Sequence, residues 1–369
     1  MTPRGFAVRL ILAPTLALLA LAILIPPPPA EAVSKPSTFS IVAYDSLTRE
    51  LGVAVQSRYF SVGTAVPWAE AGAGAVATQA NVNVSLGPRA LALLRNGMSA
   101  QDVVRALSAT DSLWSSRQFA VVDARGRAVN WTGPKCMEYA GGETGPGFAV
   151  QGNILAGPAV VEGMAKAMWK TKGELAERLI TALEAAQAAG GDKRGMQSAS
   201  LLIVRPSTTH PEYNTRYVDL RVEDHKTPIR ELRRVWQIHE GFHMVNAHLN
   251  FAKEYEASGR PDLARVERER VGESMNRALA RGERDASLLN GMAWSLAIHD
   301  LYLPDALRAA ERASSLEPRD VDILDTLAEV HFRMGNADKA IEVETKASKI
   351  DPKNSYLKEQ IARFKAGKK

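Results

Sequence analysis

A chain of 369 residues is long enough for two domains with separate cores, and its composition, 46% hydrophobic and 24% charged, excludes neither globular domains nor a membrane-tethered one. The net charge of +5 is a mild excess without a compact basic cluster interleaved with aromatics, which excludes a nucleic-acid face. The single cysteine, Cys136, cannot form an intrachain disulfide and reads as a small buried hydrophobe, with a reactive thiol as the alternative.

Residues 1–32 read as a leader. Arg4 and Arg9 flank an apolar run from Leu10 to Ile25, Pro26 to Pro29 break it, and Ala30-Glu31-Ala32 fits an A-x-A cleavage site. The run is shorter than the roughly 20 residues that a spanning helix needs. A cleaved secretory signal is therefore expected, with an uncleaved anchor as the alternative and the only route to a membrane. Either places the folded part outside the cytoplasm, in the periplasm or secreted. Residues 33–37 form a short spacer.

Next comes TFSIVAYDSLTRELGVAVQS, in which Phe39, Ile41 and Ala43 alternate with Thr38, Ser40 and Val42. A turn from Asp45 to Glu50 separates this strand from a second, Leu51 to Val55, and both are expected to be buried on both faces. After an open loop, a glycine-alanine strand runs into polar residues at Thr78-Gln79-Ala80-Asn81. The hydroxyl of Thr38 stands at the mouth of the first strand, where Gln56, Ser57, Thr78, Gln79 and Asn81 are expected to gather around it. Helices follow near Leu86 to Leu94 and Ser99 to Leu107. A hairpin is expected from Phe119 to Asp123 and Ala128 to Thr132, then a strand at Phe148 to Gln151. A long helix after Gly157-Pro158 and a second from Leu175 to Ala189 lead back to strands at Ser198 to Arg205 and Tyr217 to Val222. The order implies helices layered on antiparallel sheet, an α+β fold.

The segments TFSIVA, ELGVAVQS, VGTAVPWA, GAGAVATQA, QGNILAGP and VDLRVEDH resemble the bacterial family of unknown function numbered 1028, over roughly Thr38 to Leu232. That family is similar in fold to the N-terminal-nucleophile hydrolases, so the resemblance implies an αββα sandwich over residues 38–235. By analogy it implies hydrolysis of a small amide or peptide by the Thr38 hydroxyl, with the residue's own α-amine as base and no cofactor. A free amine has a pKa of about 7.7–8.0, suited to neutral pH, but it requires removal of residues 33–37. The Thr78 to Asn81 strand end is expected to supply oxyanion donors. Gln56 stands where proteasome-like enzymes carry an acid, and no lysine occupies the expected place on the third strand. Asn153, and Asp192, Lys193 and Arg194 in the loop Gly190 to Gly195, are candidate substrate-binding residues; the alternative is a structural loop whose charges pair with each other. A non-catalytic binding scaffold on the same fold is the rival reading.

From about Pro228 the pattern is wholly helical. Ala328, Gly335, Ala340, Ala347 and Pro352 resemble a tetratricopeptide unit from Val321 to Asn354, and Ala306, Ala313 and Pro318 repeat the spacing 34 residues earlier. An all-α repeat array over residues 285–369 is expected, preceded by a divergent repeat or helical linker over 236–284. Such arrays hold protein or peptide partners; the alternative is a stabilising cap. His239-Glu240-Gly241-Phe242-His243 matches the zinc-peptidase pattern H-E-x-x-H, with His239 and His243 as ligands and Glu240 as base. It lacks a third ligand at the metzincin spacing, so a seam-packed helix is the competing reading.

Overall fold

The computed structural model describes residues 38–207 and 216–367, which belong to one compact unit. The expected leader and spacer lie outside the described residues.

Among the described residues ten strands form two antiparallel sheets. The larger holds β1 (Thr38–Tyr44), β2 (Leu51–Ser57), β7 (Gly141–Gly145), β8 (Phe148–Asn153), β9 (Ser198–Val204) and β10 (Arg216–Val222), in the order β10-β9-β2-β1-β8-β7. The smaller holds β3 (Pro67–Glu70), β4 (Gly74–Ala80), β5 (Arg117–Asp123) and β6 (Ala128–Thr132), in the order β3-β4-β5-β6. Asp45 fixes the β1–β2 turn, its carboxylate accepting from the Leu47 and Thr48 backbone N–H groups at 3.0 Å each. Two strands lack the sequence signals of strands. β3 is four residues long and starts on a proline; β7 is GGETG, with no apolar side chain, and is formed by pairing with β8 at the sheet edge.

The period-two alternation sorts side chains into three layers of core. Val42, Val53, Val55, Ala75, Ala77 and Ala120 lie between the sheets. Phe39, Ile41, Leu201 and Ile203 face α3 (Ala159–Lys170) and α4 (Leu175–Ala188) on the outer side of the larger sheet. Val76, Phe119 and Val121 face α1 (Leu86–Arg95) and α2 (Ala100–Ser108) on the outer side of the smaller one. The order of layers is helix, sheet, sheet, helix.

The remainder is helical: α5 (Pro228–His239), a π-helical turn at Glu240–Met244, α6 (Val245–Ala257), α7 (Pro261–Ala280), α8 (Ala286–Ile298), α9 (Leu303–Leu316), α10 (Val321–Arg333), α11 (Ala337–Ile350) and α12 (Ser355–Ala366). The pairs α6–α7, α8–α9 and α10–α11 pack as hairpins, with α12 against α11. Ala293, Ala306, Ala313, Ala328, Ala340 and Ala347 are fully buried, small enough to let the paired helices approach. Trp236 and Met244 still belong to the core under the larger sheet, and the helical core starts at Val245.

Buried charge ties the two regions together. Arg205, just past β9, pairs with Glu50 at 3.1 Å and with Glu267 of α7 at 2.7 Å. Its guanidinium lies 3.6 Å from the centroid of the Phe251 ring. Arg270 also reaches Glu50, at 3.3 Å, and His248 Nδ1 lies 2.7 Å from Glu267.

Candidate active site

Strand register puts four polar residues in one row at an end of the larger sheet. Asn153 of β8 pairs with Thr38 of β1, Thr38 with Ser57 of β2, and Ser57 with Ser198 of β9. By the alternation, all four side chains point into the space between the sheets. Thr38 Oγ1 lies 2.9 Å from Ser57 Oγ, and both residues are buried. Ser198 Oγ accepts from the Val62 N–H at 3.0 Å and donates to the Tyr59 carbonyl at 2.5 Å, holding down the segment after β2.

Behind this row the interlayer is a buried hydroxyl and amide network. Ser40 donates to Gln79 Oε1 at 2.6 Å. Gln79 Nε2 donates to the Thr38 carbonyl at 3.2 Å and to Gln118 Oε1 at 2.8 Å. Gln118 Nε2 reaches the Gly152 carbonyl at 2.8 Å and Thr132 Oγ1 at 2.9 Å, and Asn153 Nδ2 donates to Gln118 Oε1 at 3.0 Å. Gln151 accepts from Asn130 Nδ2 at 2.9 Å and donates to the Ala77 carbonyl at 3.2 Å. A Cβ on Gly142 would stand 2.2 Å from the Asn130 amide, so this glycine leaves room for the network. Satisfied amides in a low-dielectric layer fix both sheets and hold Thr38 rigidly. Ser40, Gln118, Asn130 and Thr132 are members that the sequence does not single out. Their signal is a polar side chain on the inward parity of an otherwise apolar strand.

Three expected neighbours of Thr38 lie elsewhere. Gln56 has the opposite parity to Ser57 and pairs in register with Phe39, on the side that packs against α3 and α4. It is fully buried and, among the described residues, its amide atoms have no hydrogen-bond partner. Thr78 has the opposite parity to Gln79 and faces α1 and α2, its hydroxyl 3.5 Å from the Asn83 carbonyl. Asn81 is exposed beyond the strand. The β4 end also fails as an oxyanion site, because its donors are engaged: the Thr78 N–H bonds Val66 and the Asn81 N–H bonds Ser116. The hydroxyl of Ser57 is the polar group that the structure does bring to the Thr38 hydroxyl, and either oxygen can donate in that pair.

The loop from Gly190 to Gly195 adjoins this end of the sheet. The Asp192 carboxylate accepts from the Arg58 N–H at 3.2 Å, one residue past Ser57, and the Lys193 N–H bonds the Ile154 carbonyl at 3.2 Å, one residue past Asn153. Asp192 also pairs with Arg194 at 3.0 Å, so the two charges compensate each other, while Lys193 is exposed. Cys136 is half-buried rather than buried; burial pushes its thiol pKa up, against the reactive thiolate form.

The H-E-x-x-H segment lies at the seam, across the end of α5 and the π-helical turn. The His239 and His243 rings are neighbours, with centroids 4.9 Å apart. Burial first, then His243, lowers the His239 pKa to about 4. Glu240 is buried and bonded to Arg277 at 2.7 Å and Arg281 at 3.4 Å, which removes it from the role of a general base. Among the described residues no group of three His, Cys, Asp or Glu side chains is placed to hold a metal ion. The residues present do not fit a three-ligand zinc centre.

The model of a family of unknown function, DUF1028, matches residues 38–232, more than half of the chain. The chain belongs to this family. The match covers the sheets and their helices and stops before the helical hairpins. A crystal structure of a DUF1028 protein from Silicibacter pomeroyi is similar to this DUF1028 chain with a TM-score of 0.51 and 31% identity, over 55% of this chain and 86% of that one. No curated protein matches the chain.

Proposed function

We propose that this chain is an exported hydrolase of an amide-type C–N bond, with the Thr38 hydroxyl as nucleophile. The observation that carries the reading is the hydroxyl pair, Thr38 Oγ1 and Ser57 Oγ at 2.9 Å, at the mouth of a central strand and backed by a rigid amide layer. The helix–sheet–sheet–helix order supports the likeness to N-terminal-nucleophile hydrolases. Once the leader and the spacer are removed, the α-amine of Thr38 takes the hydroxyl proton as Oγ1 attacks the substrate carbonyl. The amine returns that proton to the leaving nitrogen as the C–N bond breaks. Water then cleaves the threonyl ester, giving the acid and restoring the hydroxyl. Ser57 donates to the oxygen that gains charge. The helical hairpins, read as a tetratricopeptide array, bind a protein or peptide partner.

A second reading, a binding scaffold without catalysis, is favoured by one observation: Gln79, Gln118, Gln151, Asn130 and Asn153 all spend hydrogen bonds on the fold itself. A screen of the mature protein against small amides and peptides separates the two. Catalysis predicts turnover that Thr38→Ala abolishes and Thr38→Ser retains in part. Turnover undiminished in Thr38→Ala would overturn the nucleophile reading.

A further inference from the structure

A groove of about 810 Å³ runs between the end of α9, α10 and α11, far in the chain from the Thr38 row. Leu324, Leu327 and Val343 give it an apolar, buried floor. Arg319, Lys346 and Lys349 stand exposed on its rim, and among the described residues none of the three is in a salt bridge. Lys346 and Lys349 are three apart on α11 and so share a face. The acid at the rim, Glu342, is occupied by Lys339 at 2.9 Å. Three positive charges are thus left uncompensated over an apolar strip. Basic character continues across α9, where a hollow of about 720 Å³ is lined by Arg284, Arg308 and Arg312 beside Leu279 and the exposed Leu316. There Arg308 is paired with Asp305, Arg312 donates to the Gly282 carbonyl, and Glu311 stands in the same lining as Arg284, so the excess of positive charge is greater in the first groove.

We propose that this groove docks an acidic segment of a partner protein, its apolar side chains on the floor and its carboxylates on Arg319, Lys346 and Lys349. Charge complementarity selects the acidic segment. A recessed apolar floor fits a chain segment better than a lipid headgroup layer, and the lining holds no aromatic ring on which a nucleobase could stack. The proposal rests on the partner-binding reading of the hairpins and is independent of hydrolysis at Thr38.

The test uses the full-length protein and a fluorescein-labelled synthetic peptide of repeating Glu-Glu-Leu, followed by anisotropy at low and high salt. Binding is expected to weaken with salt and to fall about tenfold or more in Arg319→Ala/Lys346→Ala/Lys349→Ala. Arg265→Ala, an exposed change on α7, should leave it unchanged, with circular dichroism melts confirming that each variant is folded. The proposal is overturned if the peptide does not bind, if the triple variant binds as well, or if a Lys-Lys-Leu peptide binds equally. It is also overturned if the same variant loses tighter binding to phosphatidylserine vesicles, to an oligonucleotide or to a second copy of the chain. A silent groove with Thr38-dependent turnover would sink this proposal alone.

Discussion

Gln79 joins the two sheets through one side chain, accepting from Ser40 and donating to the Thr38 carbonyl and Gln118. Gln79→Ala leaves those partners unsatisfied in a buried layer, so a loss of about 1–3 kcal/mol is expected in urea unfolding. Gln56 is the opposite case, a buried amide that the fold does not satisfy. Gln56→Leu should raise stability by about 1–2 kcal/mol and leave any turnover unchanged; a drop in either would mean that a bound water or a substrate group uses the amide. These two residues also show what the sequence carried. The alternation in β1 sets Thr38, Ser40 and Val42 on one face, and it is the strand register that brings Ser57 beside Thr38. The same period, applied to Gln56 and Thr78, puts them on the other, and proximity along the strand end was the wrong guide. The inward parity of Gln118 on an apolar strand marks it as an interlayer residue, but its partners on the other sheet come from the packing of the two sheets, which no local pattern encodes.

At the scale of elements, α10 and α11 bring together a carboxyl pair, the half-buried Asp325 and the buried Glu344. Burial and the neighbouring Asp325 push Glu344 up to about 8. A carboxyl that holds its proton more tightly when folded loses its contribution as pH rises from the unfolded value, about 4.3, towards 8. Glu344→Gln should therefore flatten the fall in urea midpoint over that range and be more stable than the parent at pH 8. An unchanged slope would mean that Glu344 is not buried against Asp325. The hairpins themselves were legible, since spaced alanines and Gly335 mark close helix packing and a turn, whereas β7 was not, because its glycines form a strand only when β8 supplies the partner.

At the scale of the molecule, the sheet region and the helices are fastened by Arg205, Glu50, Glu267, Arg270 and His248, not divided by a linker. Removing one partner of such a network strands a buried charge: Arg205→Met should cost about 3–5 kcal/mol and loosen the helices from the sheets, read as new protease sensitivity near residue 205. Burial opposes charge on His248, but Glu174 and Glu267 outweigh it and raise its pKa above the usual imidazole value. Burial likewise opposes charge on Glu267, yet His248 and Arg205 lower it to about 2. The His248 contribution is complete below about pH 6.5 and is lost as pH rises through the folded value; that of Glu267 is complete above about pH 4.3 and is lost towards pH 2. The seam is thus strongest between those limits, and His248→Gln should flatten the alkaline limb of a stability–pH curve. The seam residues lie far apart in sequence, so their charges read as ordinary surface residues until the fold assembles them.

The central claim, that Thr38 is a nucleophile with its own amine as base, stands or falls on the first residue of the mature protein. Intact mass and terminal sequencing of the exported chain measure it directly. A mature chain that begins at Thr38 is expected. A mature chain that begins at Val33 would leave Thr38 with a peptide nitrogen, no base, and a purely structural place at the head of β1.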